Sequence, residues 1–314
     1  MGTNEETLYE EALDLLGDGE HDAALERGKA LADAGDVRGY EIQAMALAEL
    51  ERPAEATKLL ERGTAAHPDR WLLWQLLGNA LSDEERHDDA LLAYDRALAL
   101  PGVDRDSVEY NRALSRARAG DPERALAGLT RLAAGPFALR AGALRVAVLR
   151  DQHRIDEALA VAEEARKHVG PETEEIGGEG ELLAELAETL FHGKGDRAGA
   201  ERAAKESLAD EAHPLAFEVL RELRGRTSPG ARWFRLTIEG RLPQGPSEPV
   251  GFYRVYEVVA DDVDAALALA AELEPAECRA SLRLEDHEAG DAAPDELVGV
   301  VSASEYLCFD EVRE

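Results

Sequence analysis

The amino-acid sequence predicts two domains of different class. An α-solenoid of stacked helix-turn-helix repeats is expected over residues 1–226, and a small α+β domain with an antiparallel sheet in the order ββαββ over residues 228–314. The first prediction depends on an alanine that recurs in one register, and the second on a hydrophobic pattern that changes from a helical period to period two after residue 227. The register alanines are Ala24, Ala56, Ala90, Ala125 and Ala158.

The residues around each of these alanines follow the same order. An apolar helical pattern begins about twelve residues earlier, a polar turn follows, and a second apolar helical pattern contains the alanine. The turns read DEERHDDA and RAGDPERA in two of the units. Because the pattern returns every 32 to 35 residues, one unit is a pair of helices, and neighbouring pairs must stack to bury their apolar faces.

The unit over residues 71–104 carries the most complete motif. It has Trp, Leu-Gly, Ala, an aromatic residue and Ala in order, with Leu81 where tyrosine is usual and Pro101 one residue early. The matching residues are Trp74, Leu77, Gly78, Ala90, Tyr94 and Ala97. This motif resembles the tetratricopeptide repeat, and the resemblance covers residues 5–214. Five clear repeats end near residue 171.

A degenerate sixth repeat follows at residues 182–214, after the polar insertion GPETEEIGGEG, which we expect to form a loop. It keeps Ala200 in register, and a helix at residues 216–226 is expected to cap the array. Small residues on the first helices let the two helices of a pair approach closely. These small residues are Ala12, Ala44, Gly78 and Ala113.

The resemblance implies that a peptide or protein segment binds in the concave groove lined by the first helices. Projection of the inward positions gives a basic and amide-rich stretch, which favours an acidic peptide or a terminal carboxylate as ligand. The candidate groove residues are Gln75, Asn79, Tyr110, Asn111, Arg118, Arg140 and Arg150. The alternative is that the asparagines belong to the ordinary repeat pattern and the arginines are solvated. The carboxylate clamp known in this family is matched at Asn79, Asn111 and Arg140, but not at Gln75 and Leu144.

Composition excludes several classes of partner. The chain has 35 basic and 66 acidic side chains, a formal charge of -31, so nucleic acid and anionic membranes are unexpected partners. No apolar run approaches the roughly 20 residues of a membrane span, and the N-terminal residues do not resemble a signal peptide, so we expect a cytoplasmic protein. Cys278 and Cys308 are expected to remain thiols, and no metal or cofactor motif is found.

The second domain is predicted from alternating apolar residues. Two strands, in WFRLTIEGRLP and GFYRVYEVVA, form a hairpin, and a helix capped by Asp261 or Asp262 follows. A strand over 280–288, a loop over EAGDAAPDE and a further strand beginning at Leu297 complete it. The expected core is Phe234, Leu236, Ile238, Val258, Leu267, Leu282 and Leu284.

Three functional hypotheses follow. The first is a non-catalytic scaffold or adaptor that binds a protein segment in the groove, with self-association or strand pairing through residues 297–309. The second is an acidic inhibitor or immunity-type protein that sequesters a basic partner. The third is an enzyme with Cys308 as nucleophile beside His287 and Asp286, although these acidic surroundings do not favour a reactive thiolate.

Overall fold

The computed structural model describes residues 4–210, 212–242 and 250–309, and its contacts divide the chain into two compact units, Met1–Ala133 and Ala134–Glu314. Eight helices form the described part of the first unit. They are α1 (Asn4–Gly17), α2 (His21–Asp33), α3 (Arg38–Glu49), α4 (Pro53–Ala66), α5 (Trp71–Asp83), α6 (His87–Leu98), α7 (Arg105–Arg118) and α8 (Pro122–Thr130). Each predicted helix pair of the first four repeats is present.

The register alanines lie where the two helices of each pair meet. Ala24, Ala90 and Ala125 are fully buried and Ala56 is 2% exposed, which confirms the close approach inferred from their spacing. Trp71 and Trp74 pack against the core of the first unit, and Trp74 Nε1 donates to the carbonyl of Pro68 at 3.0 Å. The tryptophans are therefore packing residues, as the sequence indicates.

The turn between the two helices of each pair contains one residue with a left-handed backbone. These residues lie five positions before the register alanines and carry φ values between 54° and 75°. They are Gly19, Glu51, Glu85, Gly120, His153 and Gly195. Glycine adopts this conformation without steric cost, whereas Glu51, Glu85 and His153 hold it at a cost of about 1 kcal/mol each. The repeated turn geometry explains why the repeats share a polar turn sequence.

The second unit contains the remaining helices of the described chain. They are α9 (Ala138–Asp151), α10 (Ile155–Ala165), α11 (Pro171–Glu174), α12 (Glu179–Glu188), α13 (Arg197–Asp210), α14 (Pro214–Arg224) and α15 (Val263–Ala271). Helix α12 continues into a π-helical turn at Thr189–Lys194 before α13. Part of the insertion expected to be a loop is helical, because α11 lies within it.

Five strands form one antiparallel sheet in the second unit. They are β1 (Arg232–Leu242), β2 (Val250–Ala260), β3 (Arg283–Ala292), β4 (Gly299–Ala303) and β5 (Leu307–Phe309). The order across the sheet is β3-β1-β2-β4, and β5 pairs with β2 on the same side as β4. The antiparallel sheet and the hairpin are confirmed, but the strand at Leu297 is divided into β4 and β5, so the order is ββαβββ. Most of the hairpin connection, residues 243–249, lies outside the described residues.

Two boundaries in this part differ from the sequence prediction. EAGDAAPDE was expected to be a loop, yet β3 runs to Ala292, because the backbone of β1 supplies hydrogen bonds while the side chains of this edge strand remain exposed and show no alternation. Asp262 is the N-cap of α15 and accepts from Ala265 N at 2.8 Å. The neighbouring Asp261 instead contacts Arg226 and Ser228.

The sheet and the last helices share one hydrophobic core. Phe234, Leu236, Ile238 and Val258 are buried as expected, whereas Leu267, Leu282 and Leu284 are only partly buried. The same cluster includes apolar side chains from α12, α13 and α14, such as Phe217. Helix α14 thus presents its apolar face to the sheet. Independent folding of residues 228–314 stays a prediction.

A buried polar network joins β2 to the connection between β4 and β5. Arg254 is 5% exposed and donates to Ser304 O at 2.9 Å and to Tyr306 Oη at 2.8 Å. Glu274, 1% exposed, accepts from the hydroxyls of Tyr256 and Tyr306 and lies 3.4 Å from Arg254 Nη1. Because each buried charge has partners, the network fixes the edge of the sheet.

Candidate functional site

The first helices of adjacent repeats in the first unit contact one another through polar side chains. Arg38 on α3 pairs with Glu6 on α1 at 3.0 Å and stacks over the ring of Tyr9 at 4.3 Å. Glu41 on α3 is 3% exposed and pairs with Arg70, just before α5, at 2.6 Å. Contacts of this kind hold α1, α3 and α5 in a fixed row.

Two predicted groove residues lie on α5, but in different environments. Gln75 is 7% exposed, and its Nε2 donates to Ser107 Oγ on α7 at 2.9 Å, so this amide joins two repeats. Asn79 is half-buried, and its Oδ1 accepts a hydrogen bond from Tyr94 Oη at 2.9 Å. The bond to the buried Tyr94 ring fixes the position of the Asn79 amide beside the groove.

A pocket of about 270 Å³ opens next to Asn79, between α3, α4 and α5. Its floor is apolar, and its charged or polar lining residues are Glu51, Asn79 and Asp83. The apolar lining residues are Ala44, Ala48, Pro53, Ala56, Leu60, Leu76 and Ala80. The pocket thus combines an apolar interior with two carboxylates and an amide.

The predicted residues of α7 also divide into buried and accessible groups. Tyr110 is 7% exposed and belongs to the packing of the unit, whereas Asn111 is half-buried. Arg118 is exposed at the end of α7 and pairs with Asp83 at the end of α5, with Nη1 3.0 Å from Oδ1. The charge of Arg118 is therefore compensated by a carboxylate that also lines the apolar pocket.

The other two predicted arginines lie on α9 in the second unit, and each faces α12. Arg140 Nε lies 3.8 Å from Glu181 Oε2, and Arg150 contacts Glu185 and, at 3.6 Å, Asp151. Burial raises the pKa of Glu185 to about 7, an effect opposed by the nearby Arg150 and reinforced by Glu181 and Glu188. Both arginines therefore have carboxylate neighbours within their own unit.

The sequence did not reveal these carboxylates because their partners are distant in the chain. Arg118 and Arg150 each meet an acid 35 positions away, which is about one repeat length. A search for opposite charges at the repeat spacing would have found both pairs. The predicted positive groove is thus largely neutralised by Asp83, Glu181 and Glu185. Ligand binding by the seven candidate residues stays a prediction.

The proposed catalytic constellation is not brought together in the sheet. His287 on β3 pairs with Leu236 of β1, and Cys308 on β5 pairs with Phe252 of β2. Strands β3 and β5 lie at opposite edges with β1 and β2 between them, which separates the two side chains by about 14 Å. Cys308 therefore has no access to the imidazole of His287 as a general base.

Similarity to known structures extends over most of the chain. PilW, described as a widely conserved type IV pilus biogenesis factor, aligns with a TM-score of 0.55 and 16% identity over 67% of this chain and 94% of PilW. A tetratricopeptide repeat protein from Parabacteroides merdae aligns with a TM-score of 0.53 and 14% identity over 71% of this chain and 86% of that protein. The helical repeats have the tetratricopeptide-repeat fold. PilF of Pseudomonas aeruginosa gives a TM-score of 0.50 at 13% identity, over 69% of this chain and 96% of PilF.

Sequence similarity to a curated protein is more restricted. Protein FlbA of Caulobacter vibrioides is 35% identical over 97 residues, which are 31% of this chain and 16% of FlbA. No protein-family model matches the chain. Within residues 4–210, 212–242 and 250–309, no helix is long and apolar enough to cross a membrane, and no group of three or more His, Cys, Asp or Glu is placed to hold a metal ion.

Proposed function

We propose that this tetratricopeptide-repeat protein is a non-catalytic, cytoplasmic scaffold that binds a segment of another protein in the groove of its first unit. The observation that supports the proposal most is the pocket of about 270 Å³ beside Asn79, because an apolar cavity with a few fixed polar groups is the usual form of a binding site. Its walls come from three helices of two successive repeats, so the site depends on repeat stacking.

The chemistry of the pocket favours an apolar side chain of the partner as the anchor. The Nδ2 group of Asn79 is available to donate to a partner carbonyl, because Oδ1 is already bonded to Tyr94. Glu51 and Asp83 at the pocket favour a positive or neutral flanking residue over an acidic one. In this proposal Gln75 and Tyr110 support the groove from within, and Asn111 and Arg118 contact the partner further along it.

Filling the pocket provides a direct test. Ala48 is an exposed pocket residue, so Ala48→Phe should occupy the cavity without disturbing the core. Ala65→Phe, at an exposed position of α4 outside the pocket, is the matched control. We expect proteins captured by the wild-type chain from a cell extract to be retained by Ala65→Phe and lost by Ala48→Phe. Equal capture by all three chains would contradict binding in the pocket.

The formal charge of -31 supports a second candidate function, an acidic protein that neutralises a basic partner over its whole surface. Salt separates the two functions, since neutralisation of an extended surface weakens steeply with ionic strength, whereas burial of an apolar anchor does not. Binding of the captured partner at low and high salt therefore decides between them.

Self-association through the C-terminal edge is a separate part of the proposal. Strands β4 and β5 lie at one edge of the sheet, and Leu307 is 70% exposed there. An accessible strand edge can pair with an edge of a second chain. Light scattering of the wild-type chain and Leu307→Lys should show a dimer that the substitution disrupts; a monomeric wild type would contradict this contact.

A further inference from the structure

The insertion before the sixth repeat builds a second cavity, of about 530 Å³, at the start of α9 and α12. The register alanines Ala158 and Ala200 are 42 residues apart, whereas a regular repeat has about 34. Residues 169–180 supply nearly all of the cavity lining, together with Leu139 of α9. A repeat of ordinary length has no counterpart to this segment, so the cavity is specific to the sixth repeat.

The insertion is held in a defined conformation by its own contacts. Thr173 is 2% exposed, and its hydroxyl donates to the carbonyl of His168 at 3.0 Å while accepting from Gly170 N at 3.2 Å. Gly178 has φ of +102° and packs so closely on α9 that an added Cβ would lie 2.5 Å from Arg140 Cγ. A cavity formed by such a segment is present before any ligand binds.

The interior of the cavity is apolar and in part open to solvent. Leu139, Val169 and Pro171 line it together with four glycines. Leu139 is 2% exposed and forms a fixed wall, whereas Val169 is 46% exposed, one of the few large apolar side chains left so accessible in the described chain. Covering this apolar surface with an apolar group of a ligand is favourable.

The charged side chains that line the cavity are both acidic. Glu174 and Glu179 contribute carboxylates, and the lining contains no lysine or arginine. Arg140, which contacts Gly178, has Glu181 as its neighbour at 3.8 Å. The field at the opening is therefore negative, and it favours a cation next to the apolar group.

We propose that this cavity is a second binding site, which takes an apolar side chain of a protein partner flanked by lysine or arginine. The site belongs to the second unit and does not depend on the pocket of the first unit. It gives the chain two attachment points of similar chemistry, so a partner with two such segments would bind with greater effective affinity than either segment alone.

The test uses three capped tripeptides as probes: lysine-leucine-lysine, glutamate-leucine-glutamate and lysine-serine-lysine. Each is titrated at low salt into the isotope-labelled full chain, and backbone amide shifts are recorded by NMR. We expect lysine-leucine-lysine alone to shift the amides of residues 169–180 in a saturable manner. Equal shifts from the glutamate peptide, or lysine-leucine-lysine shifts that avoid this segment, would overturn the proposal.

Variants at exposed positions separate the apolar and ionic contributions. Glu174→Gln should weaken lysine-leucine-lysine binding about twofold to fivefold, and Glu172→Gln, on the same short helix but outside the lining, should leave it unchanged. Val169→Ser should also weaken it about twofold to fivefold. An unchanged affinity in Glu174→Gln and Val169→Ser would overturn the site. Ala48→Phe should not alter these shifts, so failure of the first-unit pocket is distinguishable from failure of this cavity.

Discussion

Substitution of Gly78 by alanine tests the close helix approach on which the repeat depends. A Cβ added at Gly78 would lie 2.5 Å from Cε1 and 2.7 Å from Cδ1 of the Tyr94 ring. Carbon atoms in contact prefer about 3.5–4.0 Å, so the ring or one helix must move by about 1 Å. Tyr94 is 1% exposed and its hydroxyl is bonded to Asn79, which leaves the ring little room to move.

The expected cost follows from two opposing effects. Overpacking of a core position costs about 1–3 kcal/mol, whereas alanine is favoured over glycine in a helix by about 1 kcal/mol. Gly78→Ala should therefore reduce stability by about 1–2 kcal/mol at α5 and α6. Hydrogen exchange of the full chain, followed by mass spectrometry, should report this loss in peptides from these two helices.

A double-mutant cycle identifies the cause. In a Tyr94→Leu background the aromatic ring is absent, and Gly78→Ala should then be neutral or stabilising by up to about 1 kcal/mol. The same loss in both backgrounds, or a stabilising effect of Gly78→Ala in the wild-type chain, would refute the proposed contact between the added methyl group and the ring.

Three further outcomes are expected. Gly120→Ala should reduce stability by about 1 kcal/mol in chemical denaturation, because φ is +75° and no neighbouring atom obstructs the added methyl group. Glu274→Leu should cost about 3–5 kcal/mol and lower the thermal midpoint of the sheet, because Arg254 is left buried without its carboxylate. The pKa of Glu185 is raised to about 7, so folding binds a proton and stability should fall by up to about 3 kcal/mol as pH rises from about 4.5 through 7. Glu185→Gln should remove that part of the pH dependence; a profile identical to the wild type would contradict the assignment.

The repeat architecture was predictable because its signal is local and recurs. Each register alanine is surrounded by the same turn and the same helical pattern, and each is buried in the structure. The shared core of α14 and the sheet was not predictable in this way. The apolar face of α14 shows that the helix packs against something, but its sequence does not specify whether another repeat or the sheet covers Phe217. Strand β3 was only partly found because its side chains are exposed and acidic.

The candidate site was predicted in position more successfully than in charge. Asn79 lies at a pocket, as its inward projection suggested, and Arg118 lies one repeat from Asp83. The projection treated each first helix separately, so it included the arginines without the acids that face them from the next helix. Gln75 was projected into the groove, but its amide is buried against Ser107 because α5 and α7 lie in contact.

The central claim is that the first unit holds a partner segment in the pocket between α3, α4 and α5. The most direct measurement is an NMR titration of the labelled full chain with the segment of the captured partner. Saturable shifts at Leu76, Asn79 and Asp83, lost in Ala48→Phe and kept in Ala65→Phe, are the predicted result. Saturable shifts confined to the second helices α2, α4 and α6, with Asn79 unaffected, would contradict the claim.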